Sequence, residues 1–478
     1  SNIFETIVDA SGRGQFTSIA AAFASGKTSV YVRDGIYYET ADIIIPDGGQ
    51  LEGESQSNVR IILANNNSVK IDGSQGVKYT NGTISVVAAT NVVNGTATTF
   101  TALNPKDFIQ LGTTFYEIAS VQSDTLLTLA QVYVGASLSD VEYLAQHMYT
   151  GIKISNMIIA YSTAPGMYIR AVRHCGFRSL AVIACAQNII VVDSGEFAMY
   201  EIITCFSHGT GIMFDSVTSM LLQTLDVYNC GGHGMSLQGK TTNAVCASSA
   251  FCNNFGCGLT LSDMLCDLHF TNCIFKQNNS VGVHMDGNCM QVIIQGCTIG
   301  DNNGVGIHLA GTANLVSSNI IKGNKSHGVV TSQSCVVTSN QIHQNVGDGI
   351  LCGVGSDNIN VSMNRISNNQ SNGINSAAEV GLFSSNIVSE NGAAGYNLTQ
   401  SNNVVSSSTV MGNVTHGIYL GSNSSKNMIV NAQIFGNIVS GATVESNDNI
   451  IAHNIFRSNG TNLVVNGTDN DTGTNKLI

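Results

Sequence analysis

Tryptophan is absent from the sequence, proline occurs three times, and charged residues make up only 10%. Soluble domains usually carry roughly 25% charge. The net charge is −12 and no basic patch stands out, which excludes the electrostatic footprint of a nucleic-acid binder. No apolar run approaches the roughly 18 residues that span a membrane. The opening Ser1-Asn2-Ile3-Phe4 lacks a charged region followed by an apolar one, so no signal peptide is read there. Thirteen cysteines is an odd count, with no Cys-x-x-Cys and no His-x-x-x-His. That pattern argues against a disulfide framework and against a metal site, and no cofactor is expected. Most cysteines sit in apolar alternations, as around Cys273 and Cys297, and read as small buried hydrophobes. So many free thiols fit folding in a reducing compartment.

What is present is a repeat. A small residue followed by an aliphatic one recurs at Gly166, Asn188, Gly211, Gly234, Gly258, Gly282 and Gly306. It continues at Gly328, Gly349, Gly373, Gly395, Gly417 and Gly441, with steps of 21 to 24 residues. Apolar residues follow each anchor at offsets one and three, as in Ile212 and Phe214 or Leu259 and Leu261. Alternation of period two makes each phrase a strand with one inward face.

A second register is sharper. Four residues before the anchor stand Asn254, Asn278, Asn302, Asn324, Asn345, Asn369, Asn391, Asn413 and Asn437. Five residues earlier, Asn319, Asn340, Asn364 and Asn386 form a shorter column, with Cys273 and Cys297 in the same slot before them. An asparagine amide has two donors and an acceptor, so it can bond to its own kind one turn above and below. Stacked in-register strands about 4.8 Å apart are where such ladders form. Abundant Asn, Ser, Gly and Val favours strands and turns over helical repeats. The predicted fold is all-β: a right-handed parallel β-helix solenoid of about 13 or more coils. Its hand follows the rule for parallel crossovers.

An open edge at the start of such a coil calls for a cap. Phe16, Ile19 and Phe23 share one face of a short predicted capping helix, with Thr17 as N-cap and Gly26 as C-cap. Residues 86–145 break the period and read as a small inserted β-module. The expected divisions are 1–85, 86–145, 146–465, and a polar, frayed tail at 466–478.

The run Val8-Asp9-Ala10-Ser11-Gly12-Arg13-Gly14-Gln15-Phe16-Thr17-Ser18-Ile19, with Val30-Tyr31-Val32-Arg33-Asp34-Gly35-Ile36-Tyr37-Tyr38-Glu39-Thr40, resembles the N-terminal segment of pectin-lyase-like β-helix proteins. The resemblance implies the fold shared by pectate lyases, polygalacturonases, pectin methylesterases, uronan epimerases and phage tailspikes. Residues 86–145 are similar to small modules of phage tail and tailspike proteins. That likeness implies a virion, extracellular or cell-surface setting, and by analogy a homotrimer. Fold does not settle chemistry.

Signatures of the catalytic families are missing. Gly232-His233-Gly234 lacks acidic partners, and Gly234 is itself an anchor, so the match reads as structural. Asp107-Phe108-Ile109 matches part of a pectin methylesterase motif but lies in the insertion, without its partners.

Register supplies candidates independently, because offsets two and four should point outward. Arg170, Asp193 and Asp215 should rise along one edge of adjacent coils, 5 to 10 Å apart along the axis. Carboxylates at roughly that separation suit glycoside hydrolysis, with Arg170 holding the substrate. Tyr168, Arg173 and His208 are expected to bind substrate, arginine by pairing with an acidic sugar's carboxylate. A second candidate patch is His284, Asp286 and His308, which could serve as base and acid but is a weak metal signal.

The expected partner is a polysaccharide or other glycan, bound and perhaps cleaved by a hydrolase or lyase; the alternative is a non-catalytic structural or adhesive rod.

Overall fold

The computed structural model describes residues 6–75, 78–112 and 114–478. The predicted divisions 1–85 and 86–145 therefore each include positions outside the described residues, as does the reading of Ser1–Phe4. The chain forms two compact units. The first comprises residues up to Val182, Ile189–Met199 and Asp215–Met220; the second comprises Ile183–Asn188, Tyr200–Phe214 and Leu221–Ile478. In each, short strands from successive coils stack in parallel. One of the resulting sheets, here termed the anchor sheet, contains the strands that follow the repeat anchors.

In the first unit, Thr6–Val8 pairs with Ser29–Val32, which pairs with Gln50–Gly53. Gln50–Gly53 then pairs with Lys153–Ala160, Gln50 opposite Lys153. Stacked partners are thus 153 − 50 = 103 residues apart, because the chain leaves the coil and returns in register. The excursion is an antiparallel sheet of eight strands, running from Lys78–Tyr79 to Leu144–Gln146. It begins ahead of the expected residue 86. Its core is its own: Ile84, Val93, Phe100, Ile118 and Leu127 are fully buried.

A helix spans Ile19–Ala24. Its N-cap is Ser18 rather than Thr17, because the Ser18 side chain accepts the Ala21 N–H. The buried Glu39 carboxylate accepts the Ser18 hydroxyl at 2.7 Å and the Ile19 N–H at 2.6 Å. A carboxylate there satisfies helix donors that have no partner within the helix.

The second unit is the repeat in its cleanest form. Each coil buries about one side chain per strand: Val316, Ile321 and Val329 on one coil, Val337, Ile342 and Ile350 on the next. At the bend, a residue with positive φ stands directly before each ladder asparagine, as at Gln277, Asp301, Gln344, Asn368 and Glu390. That conformation costs roughly 1 kcal/mol or more for a non-glycine residue. Hydrogen bonds offset it. Asn369 Nδ2 donates to Asn391 Oδ1 at 3.0 Å, and Asn391 Nδ2 to Asn413 Oδ1 at 3.0 Å. Each Oδ1 also accepts a backbone N–H from the preceding coil, as Asn391 accepts from Asn369. Every polar atom of the buried amide is thereby used.

Anchor glycines stand where two backbones meet. A Cβ on Gly306 would lie 2.5 Å from the Gly328 carbonyl oxygen and 2.8 Å from Asn324 Nδ2, so the position admits no side chain.

The anchor sheet has 16 strands among the described residues, in keeping with the expected 13 or more coils. Anchor-sheet strands Ile43–Ile44 and Val69–Asp72 precede Gly166, and Thr461–Val465 follows Gly441. Residues 466–478 are not a frayed tail. Lys476–Leu477 pairs with the strand Ile455–Arg457, and Asn454 donates to Asn475 at 3.1 Å, so the asparagine rule outlasts the apolar one. A third ladder, Asn403, Asn427, Asn449 and Asn470, was not read from the sequence. No helix among the described residues is long and apolar enough to cross a membrane.

Candidate functional site

Outward positions two residues past the anchors read Met213, Ser236, Thr260, His284 and His308 on successive coils of the second unit. Ser236 stacks on Thr260, Thr260 on His284, and His284 on His308. Two short side chains between bulky Met213 and His284 leave a depression of about 600 Å³. Three coil steps of about 4.8 Å separate its ends by about 14 Å. Thr210, His233, Cys257 and Val281, each directly before an anchor, line one edge. Gln238 and Ser262, four past their anchors, line the other.

The imidazoles here are neutral at pH 7. His233 Nδ1 accepts the Cys257 N–H at 3.0 Å, which leaves its proton on Nε2. Burial holds His233 below the ordinary histidine range. Burial also lowers His284, against the opposing pull of Asp286. The His284 and His308 rings stack with centroids 5.0 Å apart at 11°. Burial, then the neighbouring His284, lowers His308.

His284 and His308 are in register on successive coils, whereas Asp286 serves the turn. Its carboxylate accepts the Asp263 N–H at 3.0 Å. Among the described residues no group of three or more His, Cys, Asp or Glu could hold a metal ion.

The model of the right-handed β-helix region family matches residues 144–299 and 270–381. The fold is a right-handed parallel β-helix. No curated protein matches it in sequence. Among solved structures, the tailspike gp49 of Pseudomonas phage LKA1 is 12% identical. It covers 89% of this chain and 75% of its own, with a TM-score of 0.47. The tailspike gp61 of Pseudomonas phage phi297 is 13% identical over 93% of this chain and 72% of its own, at 0.46. A periplasmic alginate epimerase is 14% identical over 67% and 78%, at 0.40. At such overlaps these likenesses say nothing of chemistry here.

The β-helix places the other predicted residues in different settings. In the first unit Arg170 Nη2 lies 3.4 Å from Asp193 Oδ2, with both side chains partly exposed. The Asp193 N–H donates to the Asp215 carbonyl at 3.0 Å, so these residues sit on adjacent coils. Tyr168 is in register with Lys70, and Arg170 with Asp72.

Arg173 corrects the expectation of a substrate-binding arginine, for only 2% of its side chain is exposed. Its guanidinium lies over the Phe108 ring at 4.7 Å, donates to the Phe115 carbonyl at 2.7 Å and pairs with Glu196. Burial lowers its pKa to about 10. It fastens the antiparallel insertion to the coil and has no face left for a sugar. His208, in the second unit, is exposed on a turn where its N–H donates to the Cys185 carbonyl at 3.0 Å. Asp107 is buried in the insertion, accepting the Asn104 N–H at 2.8 Å and lying 3.0 Å from His147 Nδ1.

His233, set aside in the sequence as part of an anchor phrase, is a groove residue. The signal for the site was available: the drop in side-chain size at Ser236 and Thr260 within an otherwise bulky outward column.

Proposed function

We propose that this β-helix binds a polysaccharide in the depression between Met213 and His284. The observation that carries the reading is the lining itself: hydroxyls, one amide and neutral imidazoles beside apolar Met213 and Val281. Concave sites with apolar walls and a few convergent polar groups are where small ligands bind. A sugar needs both parts, hydrogen bonds for its hydroxyls and apolar contact for its C–H faces.

No carboxylate lines the depression, so the reading is one of binding without cleavage at that place. Cleavage, as a glycosidase or lyase, would fall to Arg170, Asp193 and Asp215 in the first unit, on the strength of the contact between Arg170 and Asp193. The tailspike-like resemblance of residues 86–145 extends the proposal to a virion or cell surface and to a homotrimer.

A glycan array followed by calorimetric titration tests the binding. Thr260→Tyr, which fills the depression, is expected to abolish it while leaving the melting temperature near that of the unaltered protein. Retained binding in that variant overturns the site. Reducing-end and unsaturated-uronate assays on the bound glycan test cleavage, and light scattering tests for a mass three times 50.2 kDa.

A further inference from the structure

Resting on the polysaccharide-binding reading, we infer that the depression selects uncharged glycans and rejects uronates at neutral pH. No lysine, arginine, aspartate or glutamate lines it. Its donors are hydroxyls, the Gln238 amide and imidazole N–H groups. The His233 proton is fixed on Nε2 by the bond that Nδ1 accepts from Cys257. Each such donor matches a sugar hydroxyl. None supplies the full positive charge that a desolvated carboxylate requires, and an unpaired charge taken from water costs several kcal/mol.

The rim adds to the discrimination. At the turn beyond the Gln238 and Ser262 edge, Asp263 Oδ2 accepts the Gly239 N–H at 3.0 Å, and Asp286 Oδ2 accepts the Asp263 N–H at 3.0 Å. These two carboxylates rise on successive coils beside the depression, with Lys240 the cation on the same turn. Two negative charges against one positive disfavour an anionic chain. The acidic-sugar expectation attached to Arg173 does not transfer here, since that residue does not line this site.

The test compares neutral gluco-, galacto- and manno-oligosaccharides with oligogalacturonate and oligomannuronate at pH 7.5, by calorimetry on the full chain. At least one neutral series is expected to bind tenfold or more tighter than either uronate. Its affinity should be unchanged between low and high salt, because no ion pair forms. Thr260→Arg places a cation on the floor and is expected to reverse the order.

Uronate binding that is tighter than neutral binding and lost in Thr260→Tyr overturns the inference while the glycan-binding site stands. Binding of either class that survives Thr260→Tyr, or no binding by the unaltered protein, overturns the site itself. A neutral glycan bound with strong salt dependence also counts against the inference.

Discussion

From Asn254 onward the bends of the coil are closed by asparagine amides bonded to their counterparts on the next turn. The first unit instead has ion pairs between successive coils: Arg33 with Asp9, Lys70 with Asp42, Arg173 with Glu196. The ladders are buried and periodic; the first two pairs are partly exposed, and each pair is particular to its place. An amide ladder propagates because every member is donor and acceptor at once, so one coil templates the next. An ion pair satisfies only its two members, and so it tolerates interruption. That difference matches where the insertion sits, among the early coils and outside the ladders.

The sharpest way to break the comparison is Gly373→Val. Its Cβ would meet the Gly395 carbonyl oxygen at 2.7 Å and Asn391 Nδ2 at 2.8 Å, which displaces both backbone and ladder. A loss of about 3 kcal/mol or more is expected in urea melts. Arg173→Ala removes the buried fastener of the insertion and leaves Glu196 and the Phe115 carbonyl without it. About 3 kcal/mol is expected there, with hydrogen exchange rising first in the antiparallel strands. Asn369→Ala strips one rung and orphans donors on its neighbour, for about 2 kcal/mol. A value near zero would mean that the ladder is ornamental.

Acid should separate the regions further. His233, His284, His308 and His416 all have folded pKa values lowered by burial. The unfolded chain therefore binds more protons below about pH 6.5, and stability is full above that pH and lost as pH falls through it. A decline on the order of 1 kcal/mol between pH 7 and pH 5.5 is expected in thermal melts, reduced in a His284→Gln, His308→Gln double variant. The smallest effect belongs to Arg170→Ala. The pair with Asp193 is about a third exposed on both sides, so its loss should cost under about 1 kcal/mol of stability in thermal melts.

The anchors, the alternation behind them and the asparagine columns are local and repeated, and they declared both the coil and its register. Cys273 and Cys297 could be placed in a ladder slot for the same reason, and the Cys297 N–H does donate to Asn319 Oδ1 at 2.8 Å. Arg173 could not be read this way. A strand's alternation says which residues face outward from a coil, but not that an insertion strand 58 residues earlier covers one of them. The tail misled through composition: Asn470 and Asn475 look like polar fraying until their partners one coil back are known.

The sequence by itself determined the parallel coil, its period and the closely packed glycine rungs, because stacking identical neighbours is a property each repeat carries within itself. The outward column shows where its side chains shrink, but only the stacked structure decided how deep the surface sinks there. A depression is a relation among side chains of four coils, and its neutral imidazoles depend on burial that no single repeat can specify.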